Sequence, residues 1–168
     1  MPAAGKEKQQ MSQTITILIP ELLESKEAET HVKTALSELI QTLYALYFVA
    51  HAAHWTIEGT RFVSLHHFFG ELYEDVFGSI DGFAEAMRQH DLVPPLKISM
   101  AGVDESAPTP LLTAARDANL AVLEKLAYAY HAAEASGDMG LSNRIQDRLG
   151  MHRKWHWQIT VQLRPVED

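Results

Sequence analysis

The chain has 168 residues, 46% hydrophobic and 21% charged, enough for one core that takes roughly 70% of the unfolded surface out of water, and too apolar for a disordered or collagenous polymer. The absence of cysteine excludes disulfides, iron–sulfur ligation, thiol peroxidase chemistry and cysteine-bearing zinc sites, leaving carboxylate and histidine, present nine times, as the strong metal ligands. Twenty-two acidic against fourteen basic residues give a net charge of −8, which opposes contact with DNA phosphates unless the basic residues are gathered in one place, and no such gathering is visible.

The first 13 residues, rich in Ala, Gly, Gln and Lys, read as a tail, and Thr14 to Ile19 as an extended arm ahead of Pro20, so residues 1–27 are expected to lie outside the folded core. The apolar run from Ile15 to Ile19 is too short and too polar-flanked for a signal segment or a membrane span. The expected location is therefore the cytoplasm, with no membrane partner.

Four segments then show a helical period. In the first, Leu36, Ile40, Leu43, Tyr47, Ala50, His54 and Ile57 recur at alternating intervals of four and three, ending near Gly59. The second runs from about 61 to 90 on Phe62, Leu65, Phe69, Leu72, Val76, Ile80, Phe83 and Met87, with Pro94 and Pro95 closing it. The third takes Thr109 as N-cap and Pro110 as its first residue, carries Ala115, Ala118, Val122, Leu126 and Ala129, and stops at Gly137. The fourth carries Leu141, Ile145, Leu149, His152, His156, Ile159 and Leu163. No segment reads as a paired strand. The expectation is an all-α four-helix bundle over residues 28–164, with a short loop between helices 1 and 2, a long crossover from 91 to 108 between helices 2 and 3, and a short C-terminal tail at 165–168.

Helix 2 carries a second stripe, His66, Gly70, Tyr73, Phe77 and Ala84, with Asp81 and Glu85 on its flank. A bundle needs one apolar stripe per helix, so the second implies another partner. Gly70, Gly78 and Gly82 would let a second backbone, such as a second copy of the chain, approach closely. Asp81 and Glu85 are one helical turn apart and can share a cation. His66 precedes Asp81 by fifteen residues, about 22 Å along the axis, and cannot reach the same cation within one chain. His54, in the last turn of helix 1, and His66, in the first turn of helix 2, can meet across the short loop. If helix 2 packs antiparallel on its copy about a two-fold axis, each His54/His66 pair faces Asp81 and Glu85 of the other chain, and two identical mixed sites result.

The pattern His54-Trp55, Gly59, Phe62, Leu65-His66, Tyr73, Asp81, Ala84-Glu85 resembles the Dps family, the ferritin-like miniferritins of bacteria, and its His-x11-His-x14-Asp-x3-Glu spacing matches that family's ferroxidase signature. The resemblance extends over about 28–164, including Trp157 near a family Trp in helix 4. It implies a ferritin-like fold, a hollow twelve-subunit shell, and iron bound at dimer interfaces by His54, His66, Asp81 and Glu85. Family members often place Arg after the Glu ligand and Lys three residues before the first His, where this chain has Ala86 and His51. His51 is thus a candidate additional metal ligand or a hydrogen-bonding support. The family's acidic three-fold pore would here include Glu134 and Asp138, with Asn143 where an Asp is common.

Imidazole nitrogen and carboxylate oxygen suit Fe(II), and an incomplete protein shell leaves room for an oxidant. The expected activity is a ferroxidase: Fe(II) is oxidised by hydrogen peroxide, preferred by resemblance, or by dioxygen, and Fe(III) is stored as mineral, protecting against oxidative damage. An intrasubunit ferritin site is disfavoured because no histidine here has Glu three residues before it. The alternative is a DNA-compacting nucleoid protein of the same fold. Its usual device is a Lys-rich tail, and this tail holds only Lys6 and Lys8, so DNA binding is expected to be weak or absent. His131, His152 and His156 are expected to be packed core residues, His67 and His90 surface residues, and Trp155 and Trp157 packing groups. Glu71, Glu74 and Asp75 are expected on a solvated face, or on a cavity wall where they would nucleate ferric mineral.

Overall fold

The computed structural model describes the backbone of residues 4–98 and 110–165, and side chains from residue 26 onward. Four helices account for nearly all of it: α1, Ala4–Thr56; α2, Phe62–Gln89; α3, Leu111–Ser136; and α4, Met139–Gln162. There is no strand among the described residues.

Helix α1 is continuous from Ala4 and passes through Thr14–Ile19, where the sequence suggested extended backbone. β-Branched residues lower helix propensity by only tenths of a kcal/mol each, and elongating an existing helix is far easier than starting one, so a short β-branched run need not interrupt it. Among the described side chains of α1, burial begins at Val32 and follows the expected stripe through Leu36, Ile40, Leu43 and Ala50, with Leu39, Leu46 and Ala53 widening it.

The turns follow from backbone chemistry. Gly59, at φ 89, reverses the chain between α1 and α2. Helix α2 does not wait for Pro94: Asp91 adopts φ 55, and the amides of Asp91 and Leu92 return to the carbonyls of Arg88 and Met87, while the Leu92 side chain buries against the core. That is a Schellman stop, with Asp tolerated at the left-handed position. Gly137, at φ 74, ends α3 in the same way, its amide reaching the Glu134 carbonyl. Pro110 stands at the N-cap of α3 rather than inside it, so the helix starts at Leu111; the expected cap Thr109 lies outside the described residues. Asp138 caps α4, its carboxylate accepting from the Leu141 amide.

Helices α2 and α4 run antiparallel. Arg61 reaches Gln162, Phe68 packs edge-on against Trp155 with centroids 5.7 Å apart, Asp75 meets Arg148, and His90 meets Asp138 at 2.7 Å. Since α4 also reverses on α3 through a two-residue turn, α3 is parallel to α2, and residues 99–109 of the link between those two helices lie outside the described residues. Twenty-one residues in extended form reach about 69 Å, ample for a 26-residue helix of about 39 Å. The order and directions of the described helices are those of the expected bundle with a long crossover between helices 2 and 3.

The core is mostly Leu, Ile, Val, Ala and Phe, with one polar exception that ties three helices together. His152 is fully buried; its Nδ1–H donates to Asn119 Oδ1 at 2.7 Å, and the Asn119 amide donates to the His152 carbonyl at 2.9 Å. Arg148 donates to His152 Nε2 at 3.3 Å and forks onto both oxygens of Asp75 at 2.9 and 2.8 Å, and Trp155 Nε1–H donates to Asp75 at 2.8 Å. Asp75 is therefore pinned between α2 and α4, not solvated as the sequence suggested, whereas Glu71 and Glu74 are exposed. Burial would raise the Asp75 pKa, but the hydrogen bonds from Arg148 and Trp155 outweigh it and hold the carboxyl below its usual range. Burial, with Arg148 adding to it, pushes His152 down to about 3.

Both shifts make the fold acid-sensitive. An unfolded His152 would take up a proton below its ordinary value of about 6.5 while the folded one refuses it until about 3, so stability falls as pH drops through that window. Asp75 adds stability that is present above its unfolded value and lost as pH falls through its folded one. Denaturant unfolding at pH 7 and pH 5 should show a loss on the order of 2 kcal/mol from His152 alone. A flat profile from pH 7 to 5 would contradict a neutral buried imidazole.

Candidate metal centre

The end of α1 and the start of α2 bring His54 and His66 together, as their spacing required. His54 Nδ1 lies 2.8 Å from the His66 carbonyl, and His66 Nδ1 lies 2.9 Å from the His54 carbonyl. A carbonyl can only accept, so each Nδ1 carries a proton, and in the neutral imidazole that leaves the lone pair on Nε2. The rings stack at 3.7 Å with 22° between planes. Phe62, placed by the sequence on the core stripe, is partly exposed and instead stacks on His66 at 5.0 Å. The two imidazoles are thus locked in one tautomer and one orientation by backbone they themselves belong to, the arrangement a metal-binding histidine needs.

Around them lies an aromatic wall. His51 sits between Trp55 and Tyr73, ring centroids 4.1 and 4.2 Å away, and its Nδ1 is 3.0 Å from the Tyr47 hydroxyl. Its ring is 6.3 Å from that of His54. Tyr73 meets His54 edge-on at 5.2 Å, and Tyr47 meets Phe77 at 5.3 Å. The sequence singled out His51, but the part played by Tyr47 went unseen. A Tyr four residues before a His on one helix was the available signal.

Asp81 and Glu85 are exposed on α2, one turn apart and several turns from the histidines. Among the described residues, no three His, Asp or Glu side chains converge on a point that would hold a metal ion. Helix α2 leaves Phe77 of its second stripe 55% exposed and the rest of that stripe half-buried, and Trp55 of α1, packed on His51, is 64% exposed. Of its glycines, Gly70 lies against the His54 ring, Gly78 opens onto empty space, and Gly82 is occupied from within, since a Cβ there would stand 2.9 Å from Arg144 Nη1.

The remaining histidines divide differently from expectation. His152 is core, as read. His131 is exposed and lies 3.8 Å from Glu134, because it faces outward from the last turns of α3. His156 is half-buried, with Nδ1 lacking a partner. His67 is exposed, and His90 is half-buried in its pair with Asp138. Of the pore candidates, Asp138 is committed inside the chain to the α4 cap and His90, which with the cap bond leading hold its carboxyl below the usual range, and Glu134 accepts from Tyr130 at 2.6 Å.

The ferritin-like domain family matches residues 33–167. The chain belongs to that family. A curated relative, the DNA protection during starvation protein of Brevibacillus brevis, is 36% identical over 62 residues, spanning 32% of this chain and 42% of that protein. The Dps of Thermosynechococcus elongatus superposes with a TM-score of 0.78 at 21% identity, over 85% of this chain and 96% of that one. The Dps of Vibrio cholerae O1, described as a ferritin-like diiron-carboxylate protein, gives 0.75 at 23% identity over 82% and 92%. Within the ferritin-like family, then, this chain is similar to Dps proteins, the group to which its His-x11-His-x14-Asp-x3-Glu motif points.

Proposed function

We propose that this protein is a ferroxidase and iron store of the miniferritin kind, with Fe(II) as its substrate and a site shared between two chains. The observation that carries the reading is the reciprocal pair of Nδ1–H bonds between His54 and the His66 carbonyl and between His66 and the His54 carbonyl, which leaves both Nε2 atoms free, while among the described residues no third His, Asp or Glu converges with them to complete a site. The membership of the chain in the ferritin-like family supports iron as the metal.

In this reading the open Phe77 face of α2 packs antiparallel on its copy, and Asp81 and Glu85 of one chain close the site begun by His54 and His66 of the other. The imidazoles bind Fe(II) without needing to lose a proton, the carboxylates offset the rising charge as Fe(III) forms, and the aromatic wall limits water on one side. His51 is left outside the ligand set, since its ring is sandwiched between Trp55 and Tyr73. Two Fe(II) reduce one hydrogen peroxide, taking up two protons and giving two waters; dioxygen is the slower oxidant. Fe(III) passes into the cavity of a closed shell of about twelve chains.

The test is Fe(II) oxidation by the purified protein with peroxide, run beside a DNA mobility shift and light scattering. Peroxide-dependent Fe(III) formation by a particle of about twelve chains is expected, with no DNA retention at physiological salt, because a chain of net charge −8 releases few counterions from DNA. Salt-resistant DNA binding with no iron oxidation would replace this reading by a nucleoid role.

A further inference from the structure

We propose that Tyr47 and His51 form a redox-active pair that lends one electron when iron arrives one ion at a time. This rests on the iron site proposed above and extends it to residues that bind no metal. Tyr47 and His51 are four residues apart on α1, so their side chains share one face, and the hydroxyl lies 3.0 Å from His51 Nδ1. A phenol gives up an electron readily only if its proton can leave at the same moment, and a hydrogen-bonded imidazole is a suitable acceptor. With the phenol donating, His51 carries its own proton on Nε2 and offers no lone pair to a metal.

Position supports the assignment. From the His54 ring the contacts run to Tyr73 at 5.2 Å, from Tyr73 to His51 at 4.2 Å, and from His51 to Tyr47 at 5.3 Å, a continuous path of rings away from the ligand pair. Among the described residues neither Tyr73 nor Trp55 donates to a proton acceptor. Tyr130 has one in Glu134, but it stands near the C-terminal end of α3, remote from this cluster.

The chemistry balances without a further reagent. A lone Fe(II) gives one electron to hydrogen peroxide; the O–O bond breaks, leaving hydroxide and a hydroxyl radical. Tyr47 supplies the second electron, turning that radical into hydroxide, while the phenol O–H bond breaks and its proton moves to His51 Nδ1. The imidazolium proton and one from solvent convert the two hydroxides to water. The next Fe(II) reduces the neutral phenoxyl, which takes back a proton. Two Fe(II) are consumed per peroxide, and no free radical leaves the protein between them.

The test is freeze-quench electron paramagnetic resonance on the assembled full-length protein in two arms, one with Fe(II) and peroxide and one with photogenerated tris(bipyridine)ruthenium(III), which oxidises without iron. A phenoxyl signal is expected in both arms, absent in Tyr47→Phe, absent in His51→Gln although the tyrosine remains, and kept in Tyr130→Phe. Helix content and particle mass of each variant verify that it has folded, and Tyr47→Phe keeps the ring that packs on Phe77. A signal that survives Tyr47→Phe, or iron consumed by peroxide with no phenoxyl formed, overturns the proposal. If the unaltered protein oxidises no Fe(II) at all, the iron site is what fails. The ruthenium arm then decides the pair alone: signal lost in both Tyr47→Phe and His51→Gln upholds it, and signal unchanged in either overturns it.

Discussion

The double variant His54→Ala/His66→Ala is expected to assemble normally and to lose peroxide-dependent Fe(II) oxidation by at least about 100-fold, since even residues that merely orient a metal ligand are worth 10–100-fold. The structural loss is small by comparison. Two imidazole–carbonyl bonds disappear between the end of α1 and the start of α2, worth about 2 kcal/mol together. Stopped-flow absorbance of Fe(III) formation, with light scattering to verify the particle, separates the two effects. A variant that oxidises Fe(II) at the unaltered rate would remove the histidine pair from the site.

Asp75→Ala is the change expected to cost most in stability. It leaves the largely buried Arg148 guanidinium without its two carboxylate bonds and Trp155 Nε1–H without its acceptor, beside a buried His152 that cannot take up charge. Breaking such a pair from one side costs about 3–5 kcal/mol, which for a chain of this length lowers the melting temperature by about 10 °C. Removing the charge as well, in Asp75→Ala/Arg148→Leu, should recover a large part of it, because an unpaired buried charge is worse than none. Calorimetry on both variants tests this, and a single variant as stable as the unaltered protein would show that the ion pair is solvated.

Much of the fold was legible because burial on a helix leaves a period. The stripe on α2 named every buried residue of that helix but Ala86, the stripe on α1 named Leu36, Ile40, Leu43 and Ala50 but not Val32, Ala35, Leu39, Leu46 or Ala53 beside them, and Gly59 and Gly137 marked turns made at positive φ. What escaped was chemistry between elements. Asn119 stands four residues after Ala115 and three before Val122, squarely on the core stripe, and a polar residue there is the signal of a buried partner that was overlooked; His152 is that partner. Asp75 looked solvated because its acidic neighbours Glu71 and Glu74 are, and nothing in the local sequence says that Arg148 and Trp155 fold onto it. At the site, spacing alone placed His54 against His66, yet the Nδ1 bonds that fix their tautomer depend on backbone carbonyls, which no residue pattern reports. The Thr14–Ile19 stretch failed for the opposite reason: local propensity was weighed where continuation of a helix decides.

The shared site is tested most directly by complementation. One variant lacks both imidazoles, His54→Ala with His66→Ala, and the other lacks both carboxylates, Asp81→Ala with Glu85→Ala; each alone should oxidise iron poorly. Unfolded together and reassembled at random, about half of the dimers are mixed, and each mixed dimer joins the intact histidines of one chain to the intact carboxylates of the other at one of its two sites, so roughly a quarter of all sites should recover. Recovery of about a quarter of the unaltered activity in particles shown by mass to contain both variants is the expected result. Co-assembled particles no more active than the separate variants would contradict a site shared between chains.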